Sequence, residues 1–81
     1  MNRLLTSVTV HLKNGEKQKL ALVETERDYV IAPYFISESD GWNGSGIYLN
    51  KSNISALDAL ELFVRHISLE SDSIFVDRIT F

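Results

Sequence analysis

Only one stretch of this chain, about residues 55–67, carries a helical period, and that restricts the fold more than any other feature. On a wheel advancing about 100° per residue, Ala56, Leu57, Leu60, Phe63, Val64 and Ile67 fall in one sector. Asp58, Glu61 and Arg65 lie opposite, and Glu61 and Arg65 are spaced i, i+4 in the favourable order. Ser55 with Asp58 three residues on predicts a capping box at the helix start, with Ser52 as the alternative cap. Leu60, Val64 and Ile67 centre the sector and are the expected core positions. A lone amphipathic helix needs an apolar surface to lie on, so the rest of the chain must build a sheet.

The flanking segments read that way. Leu4, Thr6, Val8, Val10 and Leu12 alternate with Leu5, Ser7, Thr9 and His11, the period of a half-buried strand. Asn14-Gly15 marks a hairpin, and a second strand follows at about 17–24. Register separates two possible turns. A two-residue turn would set Val8 against Ala21 and turn Leu20 and Leu22 away from the valines. A three-residue loop over Lys13, Asn14 and Gly15 sets Val8 against Leu20 and Val10 against Gln18, with Gly15 at positive φ. The second register keeps the apolar side chains together and is the expected one.

Tyr29 to Ile36 reads as a third strand. Pro33 lies inside it and has no N–H to donate, which predicts an edge strand or a bulge there. Ser37 to Gly46 is a polar, glycine-rich loop, and Ile47 to Asn50 is a short strand. After the helix, Ser71-Asp72-Ser73 ends the segment and Ile74 to Phe81 forms a closing strand. Phe75, Ile79 and Phe81 would alternate there with Ile74 and Val76, so both faces are apolar, as in a central strand or an edge that another chain covers. The expected fold is a single α+β domain over residues 1–81. Its mainly antiparallel sheet has four to five strands, one helix packs on a face, and the order is β-β-β-(β)-α-β.

Composition narrows the chemistry. Eighty-one residues hold one core, and a chain near this size buries only about 60–65% of the surface its unfolded form exposes. The absence of cysteine removes disulfides, thiolate catalysis and zinc–cysteine sites, and favours a reducing, cytoplasmic setting. The N-terminal residues reach Thr6 and Ser7 without an apolar h-region, and no stretch is long enough to span a membrane. The sequons at Asn43, Asn50 and Asn53 are then chance occurrences in an Asn/Ser-rich stretch.

The charge of −3 is unevenly spread. Arg3, Lys13, Lys17 and Lys19 against Glu16 leave residues 1–20 at +3, while Glu24, Glu26, Asp28, Glu38 and Asp40 against Arg27 leave residues 21–41 at −4. Phosphate-driven binding needs clustered cations, and the only cluster here precedes an acidic stretch, so nucleic acid is disfavoured. A nucleic-acid-associated regulator using the basic hairpin remains the second reading. The acidic stretch is ordinary solvated surface, or a dock for a basic partner.

No constellation carries catalysis or cofactor chemistry. His11 and His66 lack partners at metal-ligand spacing. Ser45 lies between Gly44 and Gly46, but no helix follows to focus amides on an anion. The expectation is no enzyme, no metal and no cofactor, with an enzyme or ligand site in a dimer cleft as the third reading.

Two features depart from a plain globular pattern. Trp42, the only tryptophan, lies in a polar loop next to Asn43. It either folds back over the core or anchors a partner, as tryptophan often does at interfaces. Leu62 and Leu69 fall outside the helix's core sector, as ordinary exposed leucines or as a stripe for another chain. The leading expectation is a non-enzymatic protein-interaction module: an inhibitor, antagonist or accessory subunit of the kind phages and mobile elements often encode. Its partner would be another protein, a second copy in a homodimer, or both, met through Trp42, Asn43, Leu62 and Leu69.

Overall fold

A computed structural model describes residues 2–11, 14–70 and 73–79, with the backbone alone for 69, 70 and 73–79. The elements run β1 (Arg3–His11), β2 (Lys17–Glu24), β3 (Asp28–Ala32), β4 (Phe35–Ser37), β5 (Gly41–Trp42), β6 (Ile47–Asn50), α1 (Ala56–Glu70) and β7 (Ser73–Ile79). Five strands form an antiparallel sheet in the order β6-β3-β2-β1-β7, and β4 and β5 form a separate hairpin. The fold is α+β with one helix, as expected, but it has one more layer than the sequence reading drew.

The β1–β2 register is the one that the apolar pattern requires. Val8 pairs with Leu20 and Val10 with Gln18, and Gly15 has φ +89°. Leu12 and Lys13 lie outside the described residues. Nearer the start of β1 the strict alternation fails. Leu4 pairs with Val23 and Thr6 with Leu22, so Leu5 is an extra residue in a bulge. Leu4 then packs with Ala21 and Val23 on one face, while Leu5 joins Val8 and Val10 on the other. A second register break on the far side of β1 places Ile74, Val76 and Ile79 opposite Val10, Val8 and Thr6. The side chains of β7, and Phe81, on which the expected alternation turns, lie outside the described residues.

Pro33 neither sits at an edge nor bulges a strand. β3 is an inner strand between β2 and β6, and the chain leaves it just after Ala32. Pro33 and Tyr34 make a turn, with Tyr34 at φ +48°, the left-handed region that non-glycine residues seldom adopt. Beyond it, Phe35 pairs with Trp42 in the hairpin. Phe35 closes a core cluster with Leu4, Ala21, Val23, Val30 and Ala32, and Trp42 packs on its margin. The sheet is thus covered on both faces, by α1 on one and by the β4–β5 hairpin on the other.

On the helix side Ala59, Phe63 and Ile67 are buried against Val8, Val10, Leu20, Leu22 and Ile31. The capping box forms: Asp58 N–H donates to Ser55 Oγ at 3.1 Å and Ser55 N–H donates to Asp58 Oδ2 at 3.4 Å. Ser52 instead donates to Asn50 Oδ1 through its backbone N–H at 2.9 Å. The buried stripe is narrower and rotated relative to the expected sector. Leu60 is half-buried, but Leu57 and Val64 are 74% and 52% exposed, so neither is a core residue. The cause is geometric: a single helix on a sheet buries only its line of closest approach, here Ala59, Phe63 and Ile67.

This placement makes a stability prediction. Phe63→Ala should cost about 3–5 kcal/mol, as expected for emptying a buried aromatic site. Val64→Ala, one residue along but largely in solvent, should cost less than about 1 kcal/mol. Urea denaturation of the two variants measures the contrast, and equal losses would show the helix rotated from this orientation.

Candidate interaction surface

The hairpin layer owes its position to two close approaches. Asn43 N–H donates to Tyr34 O at 3.2 Å, which closes the loop behind Trp42. A Cβ added at Gly46 would lie 2.8 Å from Val30 Cγ1 and 3.3 Å from Trp42 Nε1, so only glycine lets the chain pass between β3 and the indole. At the hairpin tip, Asp40 N–H donates to Ser37 Oγ at 2.9 Å.

These contacts leave Trp42 half-buried, between the two fates the sequence allowed: one part of the indole packs on the core and the remainder meets solvent. Tyr48 stands beside it, with ring centroids 6.3 Å apart and planes inclined by 53°. Tyr48 is 58% exposed, because its β3 partner Val30 turns the tyrosine onto the hairpin side at the sheet margin. Tyr34 and Ile36 are also exposed, and Tyr34 Cδ2 lies 3.8 Å from where a Cβ on Gly44 would be. Asn43, next to Trp42 in the chain, is exposed and supplies a polar group at this surface. Sequence reasoning found Trp42 and Asn43 but missed Tyr48; the signal was its pairing with β3, which shares a face with Trp42 only once the hairpin folds back.

The structure does not bring all the expected residues together. Leu62 is 39% exposed on α1, across the sheet from Trp42, and the side chain of Leu69 lies outside the described residues. The more exposed apolar side chains of the helix are Leu57 and Val64, on the other flank, where with Leu60 they line a shallow groove edged by Glu61 and Arg65. Glu61 and Arg65 pair at 2.9 Å.

A second group of charges ties strand ends together. Glu24 holds Lys51 at 2.7 Å and Arg3 at 3.8 Å, tying β2 to the end of β6 and the start of β1. Lys51 Nζ also lies 5.5 Å from the centre of the Tyr29 ring. His66 is half-buried beside a cleft of about 340 Å³ lined by Leu20, Ile31, Gln18 and Ser45. Among the described residues no group of three or more His, Asp or Glu is placed to hold a metal ion, and no helix is long and apolar enough to cross a membrane. Comparison with protein-family models, curated proteins and solved structures finds no match to this chain.

Because Gly46 spaces Trp42 from β3, Gly46→Ala should overpack the site and cost about 1–3 kcal/mol. Trp42 emission should shift as the indole is displaced. A variant of wild-type stability and emission would show that the loop does not pass this closely.

Proposed function

We propose that this chain is a non-enzymatic protein-interaction module, acting as an inhibitor, antagonist or accessory subunit. Its docking surface centres on Trp42 and Tyr48. The observation that carries the reading is the pinned, half-exposed aromatic pair inside an uncharged stretch: residues 41–50 contain no Asp, Glu, Lys or Arg. Binding energy at protein interfaces concentrates in a few large aromatic side chains at a centre depleted of charge, ringed by polar groups that exclude water. Exposed Asn43 supplies a polar group beside the indole here. The pair is also held before a partner arrives, which lowers the ordering cost of binding. Lack of cysteine supports a reducing, cytoplasmic setting for the encounter.

Tyr48→Ala is the selective test, because the side chain is exposed and its loss leaves the core intact. With a partner isolated on the wild-type protein, this variant should bind roughly 30-fold more weakly, about 2 kcal/mol in hot-spot terms, while its circular dichroism stays unchanged. Leu62→Glu, on the opposite face, should bind as wild type does. Loss on Leu62→Glu with full binding by Tyr48→Ala would move the site to the helix. Binding that instead falls steeply with salt and is lost on Lys17→Glu or Lys19→Glu would favour nucleic acid.

A further inference from the structure

The sheet ends in two edges, β6 and β7, and they are not alike. An edge strand exposes unpaired backbone donors and acceptors, and proteins guard such edges with charges, prolines and bulges. β7 carries Asp77 and Arg78, and its pairing with β1 breaks register. β6, Ile-Tyr-Leu-Asn, has no charge, no proline and an unbroken register with β3. It lies within the uncharged stretch 41–50.

The direction of its backbone groups follows from one hydrogen bond. Lys51 N–H donates to Arg27 O at 2.9 Å, in continuation of the β3–β6 ladder. Antiparallel ladders alternate, so Leu49 and Ile47 also turn their backbone groups toward β3. Tyr48 N–H and C=O and Asn50 N–H therefore point to the open edge. Asn50 C=O accepts from Asn53 N–H at 3.0 Å, in the turn that follows.

We infer that β6 is the self-association edge of this protein, pairing antiparallel with β6 of a second copy about a twofold axis through Tyr48. In that register the two Tyr48 residues exchange both backbone hydrogen bonds, and Asn50 N–H of one copy meets Gly46 C=O of the other. Ile47 faces Leu49 across the joint. No charge on either strand opposes another, which is why a second copy fits; a twofold interface must tolerate its own surface. Lys51 falls opposite Ser45. The two sheets become one, and the two Tyr48 side chains meet across the axis on one face, each with its Trp42 beside it. The inference rests on backbone geometry and stands apart from the docking reading.

A strand of this length makes few hydrogen bonds, so the dimer should dissociate on dilution. Sedimentation equilibrium of the purified chain should show a mass rising from 9.2 kDa toward twice that value as concentration increases. Amide hydrogen exchange at Tyr48 and Asn50 should slow over the same range. Tyr48→Pro removes an N–H that β3 does not use and should keep the chain monomeric; if it unfolds the domain, Tyr48→Lys should do the same by charge. Tyr48→Ala keeps the N–H and should retain the dimer, so a failed dock and a failed dimer are told apart. A mass that stays at 9.2 kDa up to roughly 1 mM, where even very weak association is populated, would overturn the inference. So would a dimer that survives the folded Pro or Lys variant, or whose Tyr48 and Asn50 amides exchange at the monomer's rate.

Discussion

The structure depends on the burial of β2 from both sides. Leu20, Ala21, Leu22 and Val23 are consecutive and all but sealed from solvent. Consecutive strand residues point to opposite faces, so a run of four apolar residues cannot be satisfied by a helix on one face alone. The chain answers with two covers. α1 lays Ala59, Phe63 and Ile67 over Leu20 and Leu22, and the β4–β5 hairpin lays Phe35 over Ala21 and Val23. The Leu5 bulge serves the same requirement, because its phase shift puts Leu5 on the face of Val8 and Val10 while Leu4 stays on the face of Ala21 and Val23.

That second cover turns a polar, glycine-rich loop into a functional candidate. A loop free in solvent would hold Trp42 loosely and spend binding energy on ordering it. Here the indole is fixed by Phe35 across the hairpin, by the passage of Gly46 and by the Tyr48 ring. The candidate surface is thus a consequence of core packing. The helix offers a contrast: Leu57 and Val64 are exposed and edged by the Glu61–Arg65 pair, but no exposed aromatic residue is pinned beside them.

Much of this was legible in the residues, and the failures share a cause. The β1–β2 register, the capping box and the limits of β2 and β6 follow from local rules of alternation, capping and turn chemistry. What could not be read locally was the number of layers. Leu20 to Val23 is itself the signature of a strand buried twice, yet read as half of an amphipathic hairpin it pointed to a one-sided sheet. With one cover assumed, Pro33 had to mark an edge or a bulge, and Trp42 had either to fold back or to reach out. The wheel likewise found the helix but assigned Leu57 and Val64 to the core, because periodicity gives an apolar sector and not the line along which it touches a sheet.

The central claim is that the hairpin is a packed layer of the fold, with the Trp42–Tyr48 surface as its outer margin. Methyl-selective nuclear Overhauser measurements on the purified protein test it most directly. The account predicts cross-peaks from the Phe35 ring to the methyl groups of Ala21, Val23 and Ala32, with slow amide exchange along β2. A Phe35 ring with no cross-peak to those methyls, in a protein whose helix side remains packed around Phe63, would contradict it.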